Sequence, residues 1–133
     1  MSFSDYLEAK LLDHIFGGQA YSAPTTLYLG LCTGVSEAGV ITGEPVGNNY
    51  SRVTITNNNT NFPNATGGSK ANGAILTFPE ASGSWGTLTK WFLSDAASGN
   101  TNTLHSGDLS PEKTIGSGDA PKFNIGALTL TLD

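Results

Sequence analysis

Charge is what this sequence has least of. Only 13% of its 133 residues are Asp, Glu, Lys or Arg, about half the share common in globular domains. The six basic residues stand apart at positions 10, 52, 70, 90, 113 and 122, and the net charge is −5. No basic face is available to displace counterions from phosphates, so no nucleic-acid partner is expected. Cysteine is nearly absent as well. Cys32 alone cannot close an internal disulfide, which excludes a disulfide-stapled secreted scaffold. Its setting in Leu29-Gly30-Leu31-Cys32 reads as a buried small hydrophobe rather than a reactive thiol. No apolar run approaches the roughly 20 residues of a membrane-spanning helix. Asp5 and Glu8 ahead of the first lysine are wrong for a secretory leader. The expectation is a protein made in a cytoplasm, with no membrane partner.

Catalytic groupings are missing too. One cysteine and two separated histidines are too few for a metal site of those ligands. His14 follows Asp13 in a helical stretch and suits a helix end. His105 has Ser106 and Asp108 close in sequence, but triads are assembled from distant segments, and no Gly-x-Ser-x-Gly elbow occurs. No calcium-loop spacing appears among the carboxylates, although loops at one end of a sandwich could gather Asp95, Asp108 and Asp119. Gly67-Gly68-Ser69-Lys70 lacks the frame of a phosphate loop. The glycosylation triplets at Asn49, Asn58 and Asn64 are what chance supplies in an Asn-rich chain. No catalytic residue, cofactor or metal is expected, and no enzyme.

What the chain does have is turn chemistry and aromatic bulk. Seventeen glycines accompany many Asn, Ser and Thr, while six Phe, four Tyr and two Trp supply a core. Residues 4–16 make the one convincing helix, with Leu7, Leu11, Leu12, Ile15 and Phe16 in an apolar stripe and Phe3 a turn ahead. Ser2 or Ser4 can cap it, Asp5 and Glu8 suit its positive end, and Gly17-Gly18 stops it. The stripe is expected to pack on the domain's own sheet, with a partner subunit as the alternative. Strands are predicted at 26–33, 50–56, 74–78, 87–94, 103–106 and 127–132, and weaker ones near 113–115 and 122–124. Turns fill 43–49, 57–72, 81–86, 96–102 and 116–121, and Ser-Gly-Asp at 106–108 and again at 117–119 reads as a turn both times. The fold expected is mainly β, an antiparallel β-sandwich or jelly-roll-like domain with one N-terminal amphipathic helix. A single domain spans 1–133, helix first (4–16) and sandwich after (26–133).

Within the strand at 87–94, alternation places Leu88, Lys90, Phe92 and Ser94 on one face and Thr89, Trp91 and Leu93 on the other. Apolar bulk on both faces implies cover on both, from within the domain or from a neighbouring subunit. Phe3, Tyr6, Leu7 and Trp91 are the candidate interface residues. Trp85, on the loop Gly83-Ser84-Trp85-Gly86, is either a sugar-stacking platform or a plug folded back into the core. The closing Leu128-Thr129-Leu130-Thr131-Leu132-Asp133 alternates as a half-buried strand, so attachment is expected through folded surfaces rather than a tail.

Several segments together resemble a family of small bacteriophage structural proteins described as tail-fibre proteins. They are Tyr6-Leu7-Glu8-Ala9-Lys10-Leu11-Leu12-Asp13-His14-Ile15-Phe16-Gly17-Gly18, Thr26-Leu27-Tyr28-Leu29-Gly30-Leu31 and Tyr50-Ser51-Arg52-Val53. Asn72-Gly73-Ala74-Ile75 with Phe78-Pro79 follows, then Gly83-Ser84-Trp85-Gly86-Thr87-Leu88-Thr89, Ser117-Gly118-Asp119 and the closing strand from Gly126. Members of this type tend to read Gly-Ile-Phe-Asp where this chain has Trp91-Phe92-Leu93-Ser94-Asp95, so Trp91 is expected to serve a particular interface. The resemblance implies a virion component assembled in the host cytoplasm. Its partners would be other virion proteins, of the tail or the capsid. It would be a homo-oligomer, a trimer among the candidate states, and either a fibre component or a capsid decoration (cement) protein. A carbohydrate-binding adhesin module is the alternative.

Overall fold

The computed structural model describes residues 2–100 and 102–132. The order of elements is β1 (Ser2–Phe3), α1 (Asp5–Ile15), β2 (Thr26–Cys32), β3 (Gly34–Val35), β4 (Ile41–Thr42), β5 (Val53–Thr56), β6 (Ser69–Ala71), β7 (Leu76–Thr77), β8 (Gly86–Ser94), β9 (Thr103–Ile115), β10 (Lys122–Phe123) and β11 (Thr129–Thr131). Five strands form one antiparallel sheet in the order β1-β9-β8-β2-β5, while β10 pairs with β7, β11 with β6 and β3 with β4. The fold is mainly β with one N-terminal helix, as expected. Its second layer is built from two-stranded ribbons and loops instead of a second continuous sheet.

Alternation in β2 sends Leu27, Leu29 and Leu31 to one face, where they meet Ile55, Trp91, Leu93 and Leu104. The ribbons and loops lay Phe62, Leu76, Phe78, Ala81, Trp85 and Leu128 onto the same cluster. Each Leu, Ile or Phe side chain among them contributes about 1.5–3 kcal/mol when fully buried. On the other face of the sheet Phe92 is also fully buried. Its ring lies over Gly30, where a Cβ would come within 2.1 Å of the Phe92 ring. Strand β8 is thus covered on both sides within the chain, mostly by ribbons and loops, with Tyr6 and Leu7 of the helix root packed against the same cluster.

Strands β8 and β9 depart from the expected pattern in two places. Leu88 was expected beside Phe92, yet it joins Trp91 and Leu93 in the core cluster. The ladder slips at the same place: Leu88 pairs with Lys113 but Lys90 with Asp108, so residues 109–112 of β9 bulge opposite Thr89. Such a bulge raises the local twist of the pair, and the regular alternation is broken there. The first Ser-Gly-Asp, at 106–108, lies inside β9, its residues paired with Phe92, Trp91 and Lys90. Gly107 is there because the Trp91 indole covers it, and a Cβ would come within 2.5 Å of the ring. A strand glycine can mark close approach as well as a turn. The second, at 117–119, is a turn closed by the Asp119 amide on the Gly116 carbonyl (3.0 Å) and the Gly116 amide on Asp119 Oδ2 (2.8 Å).

Asparagine fastens the loops. Asn72 is buried, with its Nδ2 donating to the carbonyls of Ala74 (2.8 Å) and Asn124 (2.9 Å) and its Oδ1 accepting from the Leu128 amide (2.9 Å). Buried polar groups satisfied this fully fix one loop arrangement. In the closing segment Leu128 is fully buried, Leu130 half-buried and Leu132 69% exposed, so the buried face fades along the strand. Asp133, assigned to the opposite face, lies outside the described residues.

Candidate association surface

Helix α1 is fixed at its root. Phe3 pairs with His105 in the β1–β9 ladder and sets its ring edge-on to the imidazole, centroids 4.9 Å apart. Ser4 is the N-cap: its Oγ accepts from the Leu7 amide at 3.3 Å and donates to the Thr103 carbonyl. The Ser4 amide donates to the Leu104 carbonyl (3.0 Å) and the Asp5 amide to the Glu37 carbonyl (2.8 Å). Tyr6 and Leu7 are half-buried against the core, and Lys10 Nζ stands 5.8 Å from the Tyr6 ring centre. Ser4 therefore serves as the cap.

Beyond Leu11 the helix leaves the body. No residue of α1 is buried, and every residue from Leu12 to Ala20 is exposed. Leu12 is 59%, Ile15 64% and Phe16 82% exposed. Of the stripe expected to pack on the chain's own sheet, only Leu7 packs against the core, and Leu11 is half-buried. The helix meets the body through its first turns, against β9 and β1. The tip is closed by the Phe16 amide on the Leu12 carbonyl (2.8 Å) and the Gln19 amide on the Asp13 carbonyl (3.1 Å). His14 Nδ1 lies 3.0 Å from the Gln19 carbonyl, at the exposed helix end.

At the root of this arm lies a groove of about 340 Å³. Phe3, Leu7, Leu27, Leu93, Leu104 and Leu130 line it, together with Leu132, Ala23 and Ala65. Leu7, Leu11 and Ile15 follow one another at four-residue spacing, so the groove wall continues as the apolar row of the arm. Apart from His105, Lys70 is the one ionisable basic residue lining the groove among the described residues, and no acidic residue lines it. Lys70 Nζ donates to the carbonyls of Phe62 (3.0 Å) and Pro63 (2.7 Å). A patch of this kind, apolar and continuous from groove to arm, marks an interaction surface.

The two tryptophans lie elsewhere. Trp91, expected at an interface, is 4% exposed and stacks on His105 at 5.5 Å with the rings 4° from parallel. Trp85, considered for sugar stacking, is 7% exposed, with Nε1 donating to the Asn48 carbonyl at 2.9 Å and its ring edge-on to Tyr50. Both are core residues here, because the ring faces a ligand would use are occupied by the chain itself. Phe3, Tyr6 and Leu7 do sit at the groove and the arm's root.

Arg52, in the sequence one of six scattered basic residues, fastens loops in the fold. Its guanidinium is buried over the Phe92 ring (4.8 Å) and clamps Glu44 bidentately, Nε to Oε2 at 2.8 Å and Nη2 to Oε1 at 2.7 Å. It also donates to the carbonyls of Ala96 (2.8 Å) and Gly99 (2.7 Å). Tyr50 completes the group, donating to Glu44 (2.7 Å) and accepting from the Leu31 amide (3.1 Å). Burial, then the bond to Glu44, holds the Tyr50 phenol far above its ordinary range. Burial likewise pushes the Cys32 thiol up to about 11. The tyrosine and arginine sit two apart in Tyr50-Ser51-Arg52, the only signal that could have found them.

A larger cavity of about 620 Å³ lies under the bulged part of β9, between Trp91, Leu109, Ile115 and Phe123. Asp108 and Asp119 both border it, but Asp95 does not. Asp108 is held below the ordinary carboxylate range by its hydrogen bond to Lys90, and Asp95 accepts from Asn102. No group of three or more His, Cys, Asp and Glu side chains placed to hold a metal occurs among the described residues. None of the helices of the described residues is long and apolar enough to cross a membrane. The surface with the most unmet chemistry is the apolar arm and its groove.

Comparison with curated proteins found no match. A protein-family model described as podophage GP4 fiber I protein gp80 matches residues 2–131, nearly the whole of this mainly β chain with its projecting helix, and the chain belongs to that family of phage fibre structural proteins.

Proposed function

We propose that this chain is a multicopy fibre component of the phage particle that works by association of folded surfaces and carries no catalytic activity. The observation that carries this is the arm: three large apolar side chains at Leu12, Ile15 and Phe16 are more than half exposed beside an apolar groove. Apolar area of that extent is stabilised by contact with another protein. The family description favours a fibre over a capsid decoration. The sugar-binding alternative loses its platform with Trp85 in the core.

Two measurements test the reading together: the solution mass of the purified chain and its copy number in intact particles. An oligomer in solution and tens of copies per particle are expected. A chain that stays monomeric at tens of micromolar overturns the self-association. Hundreds of copies per particle move the chain from the fibre to the capsid shell.

A further inference from the structure

Resting on the reading that the chain self-associates, we propose that two copies exchange arms, each seating the tip of its helix α1 in the apolar groove of the other around a two-fold axis. Three observations on the surface choose this occupant. The arm presents Leu12, Ile15 and Phe16 to solvent, and the groove presents Leu27, Leu93, Leu104 and Leu130, so each lacks what the other carries. The signs of charge also match. Lys70 lines the groove with no acidic neighbour in its lining, and Asp13 lies among the apolar residues of the arm. An arm of net negative charge meets a groove of positive charge.

The third observation sets the symmetry. Groove and arm are one continuous patch, because Phe3 and Leu7 belong both to the groove wall and to the root of the helix. A patch that carries both the knob and its socket is self-complementary. About a two-fold axis, the operation that seats one copy's arm in its partner's groove seats the partner's arm in the first copy's groove, and the contact closes at two. Socket and knob on opposite faces would instead build an open row.

Cysteine pairs read this out. Phe16→Cys with Ala65→Cys, and separately Phe16→Cys with Ala23→Cys, place thiols at the arm tip and at two positions in the groove lining. Cys32, fully buried, stays out of the chemistry. Under mild oxidation at least one double variant is expected to run as a covalent dimer of twice the 13.8 kDa chain mass, and nothing larger. Phe16→Cys alone is expected to give no linked dimer. A ladder of trimers and tetramers overturns the two-fold. A linked dimer of Phe16→Cys alone shows arm packed on arm and overturns the exchange. No cross-link between copies in either double variant overturns the groove as the seat.

A second variant guards against trivial loss. Phe16→Asp, at a position 82% exposed, is expected to keep the circular dichroism of the parent while the dimer is lost. If the parent is oligomeric and Phe16→Asp remains so, the arm exchange fails while the self-association reading stands. If the parent is monomeric, that reading itself fails.

Discussion

Arg52 holds two loops with one side chain. Its four donor contacts reach Glu44 in one loop and Ala96 and Gly99 in another, and its side chain is 1% exposed. Removing the carboxylate leaves a buried guanidinium without its counter-charge, which typically costs about 3–5 kcal/mol. Glu44→Ala should therefore lower stability by about that amount in urea unfolding. Adding Arg52→Met should restore part of it. A loss under about 1 kcal/mol would show that the loops are fixed by other contacts. The same neighbourhood predicts alkaline sensitivity. Cys32 titrates at about 11 in the fold against 9.0 in the open chain, and Tyr50 above its ordinary 10.0. In both, the folded state keeps a proton that the unfolded state releases, so their stabilisation is complete below pH 9 and falls as pH rises through each folded value. The urea midpoint should decline from pH 9 toward 11, and Cys32→Ala with Tyr50→Phe should flatten that decline relative to the parent. A parent midpoint constant to pH 11 would contradict both shifts.

Among the elements, α1 was the most legible and β9 the least. Ser4, Asp5 and Gly17-Gly18 mark the helix ends in the sequence, and Ser4 is the observed cap. The destination of its apolar stripe was not legible, since periodicity shows which face is apolar and not what lies against it. In β9, Gly107 and Pro111 look like breaks. The first makes room for Trp91, and the second sits in the bulge at 109–112, where no β8 partner asks for its amide. Strands β3, β4 and β6 went unseen for a related reason. Their pairing rests on turns, and on amide side chains such as Asn100, whose Oδ1 accepts from the Ile41 amide (2.7 Å), not on a hydrophobic pattern. The helix root supports a prediction at this scale. Ser4 is buried and satisfies the Leu7 amide and the Thr103 carbonyl through one hydroxyl. Ser4→Ala should cost about 1–2 kcal/mol. The loss should appear first as faster amide exchange in α1, with β8 unchanged. Equal acceleration in α1 and β8 would show that the helix unfolds only with the sheet.

For the whole molecule, the sparse charge and the placement of apolar surface bear on the same property. A net charge of −5 on every copy opposes association weakly at ordinary salt, where repulsion is screened beyond about 10 Å. A contact that overcomes it through Leu12, Ile15 and Phe16 draws on apolar burial, whose heat-capacity change is negative and whose strength falls on cooling. The oligomer should therefore dissociate more at 5 °C than at 25 °C, and added sodium chloride should leave it unchanged or tighten it. Sedimentation at the two temperatures, at low and high salt, gives the equilibrium directly. An interface made by ion pairs between charged side chains would loosen with salt and carry little heat-capacity change. Dissociation by salt in Phe16→Asp as well as in the parent would move the contact off the arm and onto charged surface elsewhere. Dissociation by cold alone, abolished together with the oligomer by that one substitution, is the behaviour that the exposed helix tip requires.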